Sequence, residues 1–224
     1  MRQAVWRRLE VLWPPGSRIV ELNCGTGVDA AWLGERGVAV VATDASEAMV
    51  DVARRRGVDA RQMRAESAAQ LAPLGPFDGA LSNFGGLNCV ADLGAVVDAL
   101  AACVRPGGTV VLCIMGPVVP WEWLWFLGHR QPRTAFRRFA RVTWWRGMPI
   151  RYPAIRTVRR ALAPSFTVGR VWALGALLPP SYVEGWARRH RPTIARLAEV
   201  ERRIERWPGV AQLADHYVLE VVRR

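Results

Sequence analysis

Apolar residues recur with two different periods along the first half of the chain, and the changes of period predict alternating helices and strands. Residues 5–13 place apolar side chains at helical spacing, and the Pro-Pro-Gly turn at 14–16 ends that helix. Residues 18–23 form a short β-type run. Residues 38–43 are nearly continuously apolar and end at Asp44, which is typical of a parallel strand buried on both faces.

The same alternation continues as far as residue 116. It predicts helices over 28–36, 46–56 and 93–104, and strands over 61–64, 77–83 and 109–115. The helix at 46–56 starts at the N-cap residue Ser46, and we expect Ala48, Met49, Val52 and Ala53 on its buried side. Strands that alternate with helices imply right-handed crossovers and an open parallel sheet, whose ligands bind beyond the carboxyl ends of the strands.

The pattern becomes less regular after Gly116, and it predicts an inserted cap. An aromatic segment comes first, then a basic helical segment at 133–141 and a hairpin at 142–152. A helix over 157–163, a strand over 166–173, a helical pair over 181–206 broken at Pro192 and a last strand over 217–222 follow. We therefore expect a core at 1–116, a cap at 117–165 and a segment at 166–224 that completes the sheet and the substrate pocket.

Charge divides the chain at the same place. Residues 1–116 hold 11 Arg against 12 acidic residues, whereas residues 117–224 hold 20 Arg against 7 acidic residues. Eight of the eleven tryptophans also lie in the second part. A basic surface attracts phosphate in nucleic acid, in an anionic membrane or in a diphosphate substrate, and charge alone does not separate these partners.

The cysteines and the apolar segments indicate the cellular compartment of the protein and its relation to membranes. Cys24, Cys89, Cys103 and Cys113 contain no C-x-x-C pair, and no signal peptide precedes them, so we expect reduced thiols in a cytoplasmic protein. The apolar stretch at 117–128 is interrupted by an acidic residue and is shorter than the ~18 residues that span a bilayer. No transmembrane helix is expected, although the Trp-rich segment is compatible with peripheral membrane contact.

A glycine loop between the first strand and the next helix indicates a ligand site. Gly25 and Gly27 let a ligand approach the backbone at a helix N-terminus. The spacing to Ala30, with Asp44 placed to hold a ribose hydroxyl, also fits a dinucleotide fingerprint, so a nicotinamide cofactor stays an alternative. Glu21 lies inside the buried first strand, which is unusual unless its charge is used.

Five segments in a fixed order carry a resemblance to a known family. They are ELNCGTG at 21–27, VVATDASEAM at 40–49, RAES at 64–67, FDGALSNFGGLN at 77–88 and RPGGTVVL at 105–112. The sequence resembles class I S-adenosylmethionine (SAM)-dependent methyltransferases of the broad small-molecule type, over about residues 14–116. The resemblance implies a Rossmann-like, doubly wound and mostly parallel sheet of seven strands, the last antiparallel, with a helical and hairpin cap. It also implies SAM as cofactor and S-adenosylhomocysteine as product.

The resemblance assigns residues to each part of the cofactor. The methionine part falls to Glu21, Asn23, Gly25 and Gly27, the ribose hydroxyls to Asp44, the adenine to Ala45, Met49, Ala65 and Glu66, and the border of the transferring methyl to Asn83 and Phe84. Asn23 stands where the family has its first motif glycine, and Glu66 stands where Asp is commoner. Relatives usually carry a further helix that closes over SAM, so either another element covers the cofactor here or the start is truncated.

Methyl transfer is an in-line displacement, so the protein mainly aligns the reactants, and only a protonated nucleophile needs a general base. The three histidines, His129, His190 and His216, all lie in the basic second part, and histidine is the side chain that suits a base near neutral pH. We expect His129, which follows the aromatic segment, to face the pocket, with Tyr182 as a second catalytic candidate. Trp121, Trp125 and Tyr152 are the candidates for substrate contact.

The leading hypothesis is SAM-dependent methylation of a hydrophobic or aromatic small molecule, such as a natural product, a quinone or an isoprenoid. RNA or protein methylation is an alternative that rests on the basic second part. The strand-four motif reads Ser82-Asn83-Phe84-Gly85, unlike the Asn/Asp-Pro-Pro-Tyr type that serves exocyclic nitrogens, which makes nucleic acid less favoured. A non-catalytic SAM-binding protein and an NAD-type oxidoreductase remain alternatives. No metal is expected, and the oligomeric state stays open.

Overall fold

A computed structural model of the chain describes residues 1–140, 142–179 and 183–224. Within these ranges, one seven-stranded sheet carries the fold. Its strands are β1 (Arg18–Leu22), β2 (Ala39–Asp44), β3 (Asp59–Gln62), β4 (Phe77–Ser82), β5 (Val104–Met115), β8 (Phe166–Leu174) and β9 (His216–Arg223), and the hairpin β6 (Thr143–Trp145) and β7 (Met148–Ile150) forms a separate pair.

The order of the strands is β3-β2-β1-β4-β5-β9-β8. The pairs from β3 to β5 are parallel, and β9 runs antiparallel to both of its neighbours. This confirms the predicted α/β class and the single antiparallel last strand. Because β9 is reversed, its first residue, His216, pairs with Met115 and Leu174 at the edge where the parallel strands end.

Helices cover both faces of the sheet. They are α1 (Arg2–Leu12), α2 (Val28–Gly34), α3 (Glu47–Arg55), α4 (Leu93–Cys103), α5 (Pro120–Gly128), α6 (Pro132–Ala135), α7 (Ile155–Leu162), α8 (Glu184–Arg189) and α9 (Arg191–Ile204), with 3-10 turns at 65–74, 86–89, 137–139 and 210–213. Among these described helices, none is long and apolar enough to cross a membrane.

The core is divided between the two faces because side chains alternate along each strand. Val20 and Leu22 of β1 pack on one face with α4, α7 and the 65–74 turn. Ile19 packs on the opposite face with Val5 and Leu9 of α1. Glu21 lies two residues after Ile19 in β1, so its side chain lies on the same second face. The strand therefore places a carboxyl group among apolar neighbours.

The first helix and the last strand are joined by an ion pair. Arg8 donates from Nε and Nη2 to the two carboxylate oxygens of Glu220, at 2.6 Å each, and Trp172 Nε1 donates to the same carboxylate at 3.1 Å. Glu220 is 5% exposed, so this bidentate pair is largely shielded from water. It fixes α1 across the face that contains Glu21.

Several boundaries differ from the sequence predictions. β3 begins two residues earlier than the predicted 61–64, and β5 includes the 105–108 turn with a register irregularity. The buried side of α3 is Val50 and Ala53, so the expectation for Ala48 and Met49 was wrong. The helical pair breaks at His190, because Pro192 occupies the first turn of α9, where a missing N–H costs nothing.

The close approach of Trp13 to Gly79 of β4 provides a test of this packing. A Cβ added at Gly79 would lie 2.3 Å from the Thr109 carbonyl oxygen and 2.4 Å from Trp13 Nε1, whereas one at Gly34 meets nothing within 4 Å. We expect Gly79→Ala to lower the free energy of unfolding by about 1–3 kcal/mol. The control Gly34→Ala, in α2, is expected to be neutral or to stabilise by about 0.5–1 kcal/mol. Urea unfolding measures both, and equal effects would contradict this packing.

Candidate cofactor and substrate site

The first element of the site is the carboxyl group of Glu21 in β1. The residue is 1% exposed, and its Oε2 atom has no hydrogen-bond partner in the described structure. Burial, and after it the negative charge of Asp29, raises the pKa of Glu21 well above its usual range. A buried carboxyl group without a partner is costly, and a cationic ligand group beside it would remove that cost.

The loop from Asn23 to Gly27 turns the chain from β1 into α2. Asn23, Gly25 and Gly27 all have positive φ values, of 56°, 54° and 72°. A Cβ at Gly27 would lie 2.8 Å from Ala53 Cβ, whereas one at Gly25 would meet nothing within 4 Å. Gly27 is therefore required for the contact between α2 and α3, and Gly25 leaves open space over the loop.

Asp44, at the end of β2, fixes this loop from the neighbouring strand. Its Oδ2 atom accepts from Gly25 N at 2.8 Å, and its Oδ1 atom accepts from Ser46 N at 2.9 Å. Ser46 caps α3 by accepting from Met49 N, as the sequence predicted. One carboxylate thus orders the glycine loop and the start of the next helix, and it stays partly accessible to further donors.

The residues expected around adenine follow β2 and β3. Ala45 is exposed, and its carbonyl oxygen lies 3.4 Å from Gln62 Nε2 in β3. Met49 is 42% exposed and Ala65 is buried. Glu66 lies 3.2 Å from Arg64 in an ion pair. Because β2 and β3 are adjacent in register, their ends bring these residues to the same edge of the sheet, and their contact with adenine stays a prediction.

The end of β4 completes the cofactor side. Asn83 is buried and donates from Nδ2 to Asp29 Oδ2 at 3.0 Å, and its Oδ1 atom accepts from Phe84 N. Phe84 has a positive φ of 48°, a rare conformation for a bulky residue that is typical of functional sites. A Cβ at Gly86 would lie 2.2 Å from Asn23 Cβ, so the loop after β4 passes directly against the glycine loop.

The first turn of α1 also reaches this edge. Arg2 Nη1 lies 2.5 Å from Asp29 Oδ2, and its guanidinium lies 4.5 Å from the centre of the Phe84 ring. Trp6 Nε1 donates to Asp29 Oδ1 at 2.6 Å. Asp29 therefore collects three donors from two elements, and α1 is the element that lies beside the predicted methionine position.

A buried polar network fixes the cap to the same edge. Arg138 uses all five of its N–H donors: two reach Glu122, two reach carbonyl oxygens of Gly116 and Asp215, and one reaches Asp215 Oδ1. Arg137 Nη2 adds a bond of 2.6 Å to Glu122. Glu122, which is the single acidic residue of 117–165, is 1% exposed. These bonds hold the cap against Asp215, the residue that precedes β9.

The network ends on a histidine next to the cofactor side. His216 is 7% exposed, and its Nδ1 atom lies 3.1 Å from Asp215 Oδ2. Its ring makes an edge contact with Phe84 at 5.7 Å between centroids. Burial alone would raise the pKa of Asp215, but the neighbouring His216 and Arg138 hold it down at about 2. Asp215 therefore stays ionised beside the His216 ring, whose Nδ1 atom has no well-aligned hydrogen bond within the described residues.

The other catalytic and substrate candidates are spread over the cap. His129 is exposed at the end of α5, where its Nδ1 atom lies 2.7 Å from the Trp125 carbonyl oxygen and its ring lies 4.3 Å from the Trp125 ring. Trp121 Nε1 donates to the Leu177 carbonyl oxygen at 2.6 Å. The guanidinium group of Arg138 lies 5.0 Å from the centre of the Tyr152 ring. Tyr182 lies outside the described residues.

Comparisons with known proteins agree with this geometry. Residues 19–108 match the model of the methyltransferase domain family. A demethylmenaquinone methyltransferase of Clavibacter sepedonicus is 38% identical over 112 residues, which cover 47% of this chain and 44% of the relative. A ubiquinone biosynthesis O-methyltransferase of Pseudomonas aeruginosa is 34% identical over 103 residues, which cover 43% of this chain and 44% of that protein. The chain thus spans less than half the length of these curated relatives.

A solved structure extends the likeness of fold to the whole chain. The SAM-dependent methyltransferase from Listeria monocytogenes aligns with a TM-score of 0.64 and 16% identity over 100% of both chains. Residues 19–108 thus match the methyltransferase domain family, and the whole chain shares the fold of SAM-dependent methyltransferases. The resemblance seen in the sequence is therefore confirmed, and the family's cofactor is SAM.

Sequence reasoning overlooked several residues that the structure brings to this edge. It assigned no role to Arg2, Asp29, Arg138 or Asp215, and its choice of His129 over His216 as a base stays a prediction. One signal was available, because Glu122 is the single acidic residue in a stretch with ten arginines, and such a residue is usually paired when buried. The contact between Phe84 and His216 joins residues more than a hundred positions apart, and no local pattern indicates it.

The lowered pKa of Asp215 predicts how stability depends on pH. The pKa is about 2 in the folded methyltransferase against an ordinary value of 3.8. This stabilisation, about 2 kcal/mol, is fully present above pH about 4 and is lost as the pH falls toward 2. We expect the free energy of unfolding of the native protein to fall more steeply below pH 4 than that of Asp215→Asn. Urea titrations at several pH values measure this, and parallel curves would contradict it.

Proposed function

We propose that this protein binds SAM across the carboxyl ends of β1, β2 and β4 and transfers its methyl group to an apolar or aromatic small molecule. The observation that carries the cofactor part is the buried Glu21 carboxyl group, whose Oε2 atom has no hydrogen-bond partner in the described structure, beside a glycine loop with open space at Gly25. An acid in this position suits the ammonium group of the methionine moiety. Asp44 is placed to accept bonds from ribose hydroxyls while it holds Gly25.

The proposed acceptor is a small apolar or aromatic molecule of the quinone-precursor kind. The two relatives named above methylate quinone-related compounds by name, which supports this class. The aromatic residues of α5, Trp121, Trp125 and Phe126, support it as well, since Glu122 and Arg138 hold this helix beside the carboxyl edge of the sheet. RNA or protein methylation is the alternative, favoured by the positive charge of the second part.

The reaction needs alignment and, for a hydroxyl acceptor, removal of a proton. SAM, when bound, supplies a methyl group on a positively charged sulfur. We infer that His216 is better placed than His129 to accept the proton, because it is buried, contacts Phe84 and lies beside Asp215 at the carboxyl edge of the sheet. His129 is exposed and directed at its own helix.

Cofactor binding is testable by calorimetry. We expect SAM and S-adenosylhomocysteine to bind the native protein, and Asp44→Asn to weaken both by about tenfold or more, since a charge-assisted hydrogen bond is lost. Asp51→Asn, an exposed carboxylate on α3, is the matched control and should bind as the native protein does. If a folded sample binds neither compound but quenches NADH fluorescence, the nicotinamide alternative replaces this proposal.

Glu21 gives a more specific signature. Its pKa is raised by burial, so an approaching ammonium group should make it release a proton. We expect the enthalpy of SAM binding to depend on the ionisation enthalpy of the buffer, and Glu21→Gln to remove that dependence. Proton release that persists unchanged in Glu21→Gln would exclude Glu21 as the acid that contacts the methionine part.

The proposed base is tested against its rival histidine. With a naphthohydroquinone and a catechol as acceptors, we expect His216→Asn to lower kcat by about 10²-fold while SAM binding is kept. His129→Asn should retain native kcat. The measurement is formation of S-adenosylhomocysteine with time. If His129→Asn alone loses kcat, the original assignment of His129 is right and His216 is structural.

A further inference from the structure

Large apolar side chains reach solvent mainly on the cap. Of thirteen such side chains exposed in the described residues, seven lie between positions 124 and 148. They are Leu124, Leu127, Phe136, Phe139, Trp144, Trp145 and Met148, and we call this set the cap face. The remaining six are scattered over the rest of the described chain. An exposed apolar set of this kind marks an interaction surface more often than a chance arrangement does.

The cap face contains a cluster of rings. Trp123, half-buried in α5, lies 5.9 Å from Phe136 and 5.8 Å from Phe139, and these two phenylalanines are 6.2 Å apart. Tyr152, which follows the hairpin, lies against Arg138 and accepts from Thr143 Oγ1 at 3.3 Å, so the hairpin packs beside the residue that precedes Phe139. The hairpin then exposes Trp144 by 71% and Trp145 by 54%.

The exposed charge on residues 117–165 is positive. Residues 117–165 contain ten arginines and one acidic residue, Glu122, which is buried against Arg138. Arg130, Arg133 and Arg146 are exposed, and none of the three forms an ion pair with another residue that the structure describes. Arg146 lies 4.7 Å from the ring of Trp145. Arg146 therefore lies next to an exposed ring, and residues 117–165 present no exposed carboxylate to neutralise these three cations.

We propose that the cap face binds the surface of an anionic phospholipid bilayer. Indole and phenyl rings favour the boundary between headgroups and acyl chains, and arginines beside them meet the phosphate groups. α5 has nine residues, which suits a segment that lies in that boundary. The absence of surface carboxylates on 117–165 complements a negatively charged surface. This inference concerns a surface outside the cofactor loops, so it stands or falls independently of the methyl acceptor.

The test is sedimentation of the full chain with vesicles of phosphatidylcholine, with and without phosphatidylglycerol. We expect the native protein to sediment with the vesicles that contain phosphatidylglycerol. With vesicles of pure phosphatidylcholine, it should stay in the supernatant at moderate salt. The triple variant Phe139→Ser, Trp144→Ser, Trp145→Ser and the triple variant Arg130→Gln, Arg133→Gln, Arg146→Gln should each bind about tenfold less. Brominated lipid should quench tryptophan fluorescence in the native protein, and much less when Trp144 and Trp145 are replaced.

Matched controls replace exposed residues elsewhere. Val11→Ser with Trp207→Ser removes two side chains that are 71% and 62% exposed, and Arg55→Gln, Arg56→Gln, Arg196→Gln removes three exposed arginines. Both controls should bind vesicles as the native protein does. Circular dichroism and SAM titration of every variant identify a change that is merely unfolding. Equal vesicle binding by the cap-face variants and the control variants overturns the proposal. It is also overturned if the native protein is a dimer that the triple serine variant converts to a monomer, or if single-stranded RNA competes with the vesicles for the protein.

Discussion

The arrangement of the site depends on the hydrogen bonds of one guanidinium group. Arg138 connects α5, the end of β5 and the residue before β9, and all five of its donors are occupied. A buried arginine is favourable only where carboxylates and carbonyl oxygens complete its bonds, and Glu122 and Asp215 supply that completion. If this group were absent, two buried carboxylates would lose a shared partner, and the cap would lose one of its attachments to the edge of the sheet.

The core and the cap follow different physical rules. The carboxyl edge of the core is built from backbone geometry: positive φ values at Asn23, Gly25 and Gly27, and a carboxylate that holds the loop. Such geometry depends on a few residue types at fixed spacing. The cap is irregular, aromatic and basic, and its fixed position depends on side-chain pairs rather than on ladders of backbone bonds. This division is consistent with one cofactor and many acceptors across a family.

The same contrast explains what could be read from the sequence. The order of strands and helices was predictable, because period and capping residues such as Ser46 act locally. The residues assigned to the cofactor rest on family motifs alone, and their contact with SAM stays a prediction. The pairing of Arg2 with Asp29, and of His216 with Phe84, depends on how distant segments meet at one edge of the sheet. The exposed side of α3 was misjudged at Met49, because helical spacing does not tell which stripe meets the glycine loop.

The bond between Arg8 and Glu220 joins residues 212 positions apart. During synthesis on the ribosome, α1 cannot acquire this partner until β9 has been made. β9 must also enter between β5 and β8, and it brings His216 to the carboxyl edge as it does so. The candidate site is therefore unfinished until β9 has been translated, and until then the nascent chain is exposed to proteolysis and misassembly.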